Sequence, residues 1–315
     1  MEFLNFGTFP LFRLPTVVLR EVLGIMTPIE NTNLSLASSG AKTKVKLYWN
    51  TTKYLTEVQV LKQPLFVFYG KPTVWEYQIT TNQEEADYEE ETLNEFKKWF
   101  TYLKELMRFK ICHILFDTDA FTNENQSIID LLKPEIQSLC SFTIVGDTES
   151  DDDVAYILKD LPKSGSLILN GYLSAAFQGV IPPITPQLHI ANGEWITFSQ
   201  FIEFRAAEII IHRCKLKGIQ LNEFLRKWMR MESHRCLQNL SINISSTDDL
   251  QEICNLSHKV VQQDTPQFVE LTFSREELKA GLEIQRHDGV TARLFLTEGN
   301  SGSILRMIVT GNTLI

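Results

Sequence analysis

The sequence predicts an α/β fold in four consecutive parts. These are a short helical N-terminus, an antiparallel β meander, an irregular α/β solenoid with a parallel sheet, and a small α+β cap. Three observations support this prediction. Residues 9–29 are apolar around most of a helical circumference. The next stretch is rich in β-branched and aromatic residues. Six short apolar strands then recur at intervals of 21 to 31 residues.

Composition limits the classes of partner. The chain has 315 residues and a net charge of −9, whereas a general nucleic-acid binder needs a basic face. We therefore expect no nucleic-acid partner and no adsorption to anionic membranes. No apolar run approaches the roughly 18 residues of a membrane-spanning helix. The five cysteines are spread without a C-x-x-C pair, so reduced, mostly buried thiols and a cytoplasmic or nuclear, intracellular location are expected.

The N-terminal part, residues 9–47, reads as two or three short helices. Pro15 can begin a helix because the first helical position needs no N–H donor. Two adjacent apolar faces follow on that helix, formed by Val18, Val22 and Ile25 and by Leu19, Leu23 and Met26. About forty residues cannot bury this much apolar surface among themselves. They require the rest of the chain or another protein.

The composition of residues 45–79 predicts the antiparallel β meander. The segments "VKLYW", "YLTEVQVL", "PLFVFYG" and "TVWEYQI" carry strand-forming residues and are separated by Pro64 and "GKP". The next segment, "TLNEFKKWFTYLKELMRFK", has apolar residues at helical spacing.

The six apolar strands begin at residues 114, 142, 167, 188, 209 and 240. Helical patterns follow the first, second, fourth and fifth strands, and a capping box from Ser150 to Asp153 is predicted to start the second helix. A strand and a helix at a period of 20 to 30 residues is typical of leucine-rich repeats. We therefore predict an irregular leucine-rich-repeat-like solenoid that stacks these units on one parallel sheet.

Side chains alternate across a strand, so one set faces the helices and the other faces outward. The predicted outward set is a candidate substrate surface. It consists of Ile168, His189, Ile210, His212, Ser241 and Asn243. The alternative is that the meander or the cap covers this face, which would make these residues ordinary core.

The tail predicts the α+β cap. Ser274 and Glu277 form a second capping-box pattern, which predicts a helix there. "RHDG" and "EGNSGS" stand where hairpin turns are expected.

No catalytic motif is present in the sequence, so we expect no enzyme, no cofactor and no metal. "GNSGS" lacks the spacing of a nucleophile elbow, and "DTDAFTNENQSI" lacks the glycine of a calcium loop. The repeated "HRC" leaves a zinc site open as an alternative, with His212, Cys214, His234 and Cys236 as ligands. Recognition by an extended surface is the favoured function.

Two stretches carry a family resemblance. "LFRLPTVVLREVLGIMTPIENTNLSLASS" resembles an F-box, with an L-P start, an amphipathic helix, a proline and a Leu/Ser-rich helix. "GIQLNEFLRKWMRMESHRCLQNLSI" and "GLEIQRHDGVTARLFL" resemble the type 2 F-box-associated domain that is expanded in nematodes. The resulting division is an F-box at 1–47, a β meander connector at 48–83, the leucine-rich-repeat-like F-box-associated domain at 84–270 and the cap at 271–315.

The resemblance implies a role in protein degradation. F-box proteins bind the Skp-type adaptor of cullin–RING ubiquitin ligases and present a substrate protein, here unknown, through their other domain. Carried over by position, the residues at the adaptor interface are Leu14, Pro15, Leu19, Leu23, Pro28 and Ile29. Asn31 and Thr32 depart from the family by standing at apolar positions, which would weaken adaptor binding if they were buried unpaired. A scaffold that no longer engages the adaptor and an unrecognised enzyme remain the alternatives.

Overall fold

The computed structural model describes most of the chain and divides it into two compact units, residues 1–114 and 115–315. The described residues are 10–51, 54–80, 88–107, 109–136, 139–161, 165–183, 186–244, 248–262, 267–299 and 302–311. Each unit is α/β. Within the described ranges, no helix has the length and apolar character needed to cross a bilayer.

Unit 1 opens with three short helices, α1 (Thr16–Ile25), α2 (Pro28–Leu36) and α3 (Ser39–Tyr48). Proline and hydroxyl residues fix their starts. Pro15 is the N-cap of α1, and Thr27 forms a capping box with Glu30 at the start of α2. The Ser38 hydroxyl accepts a hydrogen bond from the Ala41 backbone N–H at 3.1 Å.

One expectation for this region is wrong. "VKLYW" was predicted as the first strand of the meander, but α3 continues through it to Tyr48. The reason is spacing, because Ala41 and Val45 lie four residues apart and are both buried. Burial on one helical face outweighs the strand propensity of this short segment.

The predicted meander follows as three antiparallel strands, β1 (Leu55–Val60), β2 (Leu65–Tyr69) and β3 (Val74–Gln78). The long helix α4 (Tyr88–Met107) comes next, at the position that helical spacing predicts. Phe66 of β2 stacks on Phe96 of α4 with ring centroids 5.7 Å apart, which places the core of the unit between sheet and helix. Strand β4 (Ile111–Asp117) begins in unit 1 and ends in unit 2.

Unit 2 contains the predicted strand–helix alternation. Its strands are β5 (Ser141–Val145), β6 (Ser166–Leu169), β7 (Gln187–Ile190), β8 (Glu208–Ile211) and β9 (Asn239–Asn243). These five strands are parallel and adjacent in chain order. The helices are α5 (Asn125–Ile136), α6 (Asp151–Asp160), α7 (Phe198–Glu203), α8 (Gly218–Met229) and α9 (Asp248–Ile253).

The core of unit 2 lies on one face of this sheet. Leu167, Leu188, Ile209 and Leu240 are paired in register across four strands, and each is at most 2% exposed. The alternation that the sequence predicts is therefore correct for these strands.

The Ser150 to Asp153 capping box is absent, although α6 begins at the predicted place. The Ser150 hydroxyl makes no cap hydrogen bond. Asn125 explains why, since its side-chain amide donates to the Asp153 carboxylate at 2.7 Å and holds it away from the cap.

The C-terminal part is built from strands. It consists of β10 (Lys259–Val261), β11 (Gln267–Glu270), β12 (Arg275–Leu278), β13 (Gly281–Gln285), β14 (Thr291–Gly299) and β15 (Gly302–Val309). β15 pairs antiparallel with β9, and β14, β13 and β10 follow outward. β13–β14 and β14–β15 are hairpins, as "RHDG" and "EGNSGS" predict.

The helix predicted from Ser274 and Glu277 is wrong, because β12 occupies this place as a strand. Leu278 instead joins a buried cluster with Phe295 and Ile308. A Cβ at Gly281 would lie only 2.0 Å from the Leu294 carbonyl oxygen, so this glycine lets β13 approach β14 closely. A glycine inside a helix would also cost about 1 kcal/mol relative to alanine.

The five cysteines are free thiols, but the expectation that most are buried is wrong. Only Cys214 is buried, while Cys140 and Cys236 are exposed and the other two are half-buried.

Candidate functional site

The first candidate surface is the apolar face of α1, formed by Val17, Val18 and Ile25. These side chains are 72%, 44% and 83% exposed. Leu19 and Leu23, on the opposite side of the helix, are 2% and 0% exposed. Leu19 and Leu23 thus belong to the core of unit 1, and their contact with an adaptor stays a prediction.

The other residues predicted at the adaptor interface differ in accessibility. Pro15 is exposed, whereas Leu14 and Ile29 are half-buried and Pro28 is buried. Pro28 occupies the first position of α2, where its ring restricts the backbone for the helix start. Its contact with an adaptor stays a prediction.

Asn31 and Thr32 are buried, but both have hydrogen-bond partners. The Asn31 side-chain amide donates to the carbonyl oxygens of Leu23, Met26 and Thr27 at 3.0–3.2 Å. It thereby satisfies carbonyls at the end of α1. The Thr32 hydroxyl donates to the Pro28 carbonyl at 2.8 Å. Asn31 thus joins α2 to the end of α1, whereas the Thr32 bond lies within α2. The cost expected for unpaired burial does not apply to these two donors, although the Asn31 side-chain oxygen is buried without a partner among the described residues.

Residues 9–47 carry five basic and two acidic side chains, and part of this basic charge is neutralised within unit 1. Lys42 and Lys46 both reach Glu105 of α4, at 2.6 Å and 3.2 Å. Lys44 donates to the Phe12 carbonyl oxygen at 2.6 Å. The net attraction toward an acidic partner is therefore smaller than the count of basic residues indicates.

A polar cluster lies on the sheet of unit 1. The Tyr69 hydroxyl donates to the Glu57 carboxylate at 2.6 Å, and His113 Nδ1 lies 3.4 Å from it. The hydrogen bond from His113 lowers the pKa of Glu57 to about 2, despite partial burial. The same carboxylate raises the pKa of Tyr69 to about 12. At neutral pH the cluster therefore holds a fixed negative charge and a neutral phenol.

The second candidate surface is the face of the unit 2 sheet that points away from the buried strand residues. The sequence predicts Ile168, His189, Ile210 and Ser241 on this face, and the structure pairs them in register across four strands. Ile168, His189 and Ile210 are half-buried, as is His212 at the end of β8. We call the surface formed by these four half-buried side chains, Ile168, His189, Ile210 and His212, the open face.

Ser241 and Asn243 do not belong to the open face, because they are only 6% and 5% exposed. The expectation that they face solvent is wrong. Ser241 of β9 pairs with Arg306 of β15, and Arg306 pairs in turn with Phe295 of β14. Phe295 packs against Leu278 of the β11–β12 hairpin. The C-terminal part thus covers this end of the face, which is the alternative that the sequence left open.

Beside the open face runs a chain of hydrogen bonds, which we call the polar ladder. Ser166 donates to Gln187 at 3.0 Å, and the Gln187 amide donates to Glu208 at 2.9 Å. Asn239 also donates to Glu208, at 3.2 Å. Arg306 continues the ladder by donating to Asn239 at 3.3 Å and to Glu276 at 2.7 Å. Its amides and the arginine satisfy carboxylates that would otherwise be costly to bury.

The ladder was not predicted from the sequence, although a signal for it is present. Ser166, Gln187 and Glu208 each precede an open-face residue by two positions, and period-two alternation places both on one side of a strand. His189 lies next to this ladder. Burial lowers its pKa, the nearby Glu208 opposes the shift, and His212 adds to it.

The zinc alternative does not gain support from the geometry of "HRC". His234 is 2% exposed and lies between the rings of Phe201 and Phe224, with centroids 5.2 Å and 4.9 Å away, while Cys236 is exposed. Among the described residues, no group of three or more His, Cys, Asp or Glu side chains could hold a metal.

Residues 176–242 match a protein-family model described as "F-box associated". The matched segment contains β7, α7, β8, α8 and nearly all of β9, and so includes most of the open face. No curated protein and no solved structure matches the chain.

Proposed function

We propose that this chain is the substrate-recognition subunit of a Skp–cullin–F-box type ubiquitin ligase. The match of residues 176–242 to the F-box-associated family carries the proposal. In it, the N-terminal helices form an F-box that binds the Skp-type adaptor. Unit 2 binds a substrate protein, and the chain itself catalyses no reaction. The complex works in the cytoplasm or nucleus.

The apolar face of α1 supports the adaptor half of the proposal. Three aliphatic side chains on one short helix remain in water, and an apolar patch of this kind is typical of a surface that a partner covers. Pro15, exposed at the start of the helix, extends the patch. An adaptor would dock on Val17, Val18 and Ile25, rather than on the buried leucines.

The substrate half rests on the open face. In this proposal, unit 2 is a leucine-rich-repeat-like solenoid whose parallel strands present Ile168, His189, Ile210 and His212 to a protein partner. Two isoleucines next to two imidazoles give apolar contact together with hydrogen-bonding groups.

The second candidate function is a protein-interaction scaffold that does not engage the adaptor. The burial of Leu19, Leu23 and Pro28 favours it, because these positions are the ones that the F-box resemblance assigns to the adaptor. The neutralisation of Lys42 and Lys46 by Glu105 favours it as well.

A matched pair of substitutions tests the adaptor half. Ile25→Asp places a charge within the proposed interface and is expected to reduce co-precipitation of a Skp-type adaptor at least tenfold. Ile219→Asp is the control, since Ile219 is also an exposed isoleucine, 65% against 83%, and lies in the first turn of α8, where an acidic residue is favourable. Equal loss in both variants, or no loss in Ile25→Asp, would contradict the proposed interface.

A further inference from the structure

The helical side of unit 2 has a gap in its alternation of strands and helices. Helices α6, α7 and α8 follow β5, β7 and β8, but no helix is present among the described residues of the connection from β6 to β7. That connection contains Pro182, Pro183 and Pro186. Prolines remove backbone donors and clash with the preceding helical turn, so these three residues disfavour a helix through the end of the connection.

A groove lies between this connection and α6. Between α6 and the segment 176–183 it has a volume of about 620 Å³, and a second depression of about 310 Å³ lies along α7. We call the larger space the α6 groove. Leu158, Leu161 and Phe177 line it with apolar surface. Val180, 78% exposed, lines both spaces.

The connection that forms the groove is held in place from several sides. Asp151 accepts a hydrogen bond from the Ser174 backbone N–H at 2.9 Å. The Phe177 ring packs edge-on against Trp195 at 4.9 Å. A Cβ at Gly179 would come within 2.1 Å of that ring, so only glycine allows the backbone to lie on Phe177. The groove is therefore pre-formed, which reduces the entropic cost of binding.

Opposite charges stand at the two ends of the groove. Asp152, Ala155 and Lys159 share one face of α6 and line the groove. The flanking Asp151 and Asp153 are engaged by Ser174 and Asn125, whereas Asp152 and Lys159 have no ion-pair or hydrogen-bond partner among the described residues. Seven residues of helix separate them, or about 10 Å. The small Ala155 leaves room between the charges.

We propose that the α6 groove binds an extended peptide segment of a partner protein, with a basic residue on Asp152, apolar residues over Ala155, and an acidic residue on Lys159. An extended chain advances about 3.3 Å per residue, so the basic and acidic residues stand three positions apart. The groove belongs to unit 2 alone and needs no adaptor. The inference therefore goes beyond the proposed function and stands or falls separately from it.

Fluorescence polarisation at low salt with two labelled peptides of identical composition tests the proposal. One carries Lys-Val-Leu-Glu and the other Val-Leu-Lys-Glu, each between Gly-Ser flanks. The full chain is expected to bind the first peptide about tenfold more tightly than the second, because only the first separates its opposite charges far enough to reach both Asp152 and Lys159, in either chain direction. Equal binding of the two peptides, or binding of neither, would overturn the proposal.

Variants of the full chain locate the binding. Asp152→Asn combined with Lys159→Gln removes both rim charges, puts no cation at the helix N-terminus, and is expected to abolish the preference for the first peptide. Ala155→Tyr should block both peptides, and circular dichroism confirms that each variant is folded. Unchanged preference in folded charge variants would contradict the assignment of the groove.

Discussion

Replacing Trp228 by alanine is expected to lower the free energy of unfolding of unit 2 by about 3–5 kcal/mol, the usual cost of truncating a large buried side chain. Trp228 is fully buried on the face of α8 that also carries Leu221, Phe224 and Leu225. The Arg286 guanidinium lies 5.3 Å from its ring, so the side chain joins α8 to the turn after β13. The substitution would leave a cavity at this junction.

Trp228→Phe separates packing from hydrogen bonding. The Trp228 indole N–H is buried without a hydrogen-bond partner in the described part of the chain, so its removal costs nothing in hydrogen bonds. We expect a smaller loss, on the order of 1–2 kcal/mol. Denaturant unfolding followed by circular dichroism measures both variants. Similar losses for phenylalanine and alanine would contradict the packing role of the ring.

Acidification from pH 6.5 to pH 5 is expected to lower the free energy of unfolding by about 2 kcal/mol through His234 alone. Burial, with a smaller effect of the nearby Arg205, lowers the pKa of this histidine to about 3. Below its unfolded pKa of about 6.5, the unfolded chain binds a proton that the folded chain excludes. Stability is therefore fully present above pH 6.5 and falls by about 1.4 kcal/mol per pH unit down to the folded pKa.

His234→Phe is the matched test of this pH dependence. A phenylalanine keeps an aromatic ring between Phe201 and Phe224 but cannot titrate. The backbone of His234 has φ of 49°, so the variant starts from a lower stability. The slope of stability against pH is the diagnostic quantity, and it should be shallower in the variant between pH 5 and 6.5. Glu57 does not disturb this window, because its lowered pKa affects stability only below about pH 4.5. An unchanged slope would contradict the burial of a neutral imidazole.

Much of the fold could be predicted from sequence because its signals are local. Alternation along "LILN", "LHIA" and "IIIH" separates the buried Leu167, Leu188 and Ile209 from the open face, and the structure confirms this alternation. The spacing of Leu93, Phe96 and Phe100 likewise predicted α4.

The parts that failed depend on long-range packing. Local pattern shows that α1 has two apolar faces, but only the packed unit decides that Leu19 and Leu23 go inward while Val18 and Ile25 stay in water. Ser241 is similar, because its burial results from β15, which lies far along the chain. The Ser274 capping-box pattern predicted a helix where strand pairing and the cluster around Leu278 prevailed.

The most direct test of the proposed function is calorimetric titration of a purified Skp-type adaptor into the purified full-length chain. If the N-terminal helices are an F-box, the two proteins will form a one-to-one complex, and Ile25→Asp will weaken it while Ile219→Asp will not. No heat of binding, together with no complex in size-exclusion chromatography of the folded proteins, would contradict the adaptor-binding role and leave the scaffold as the better account.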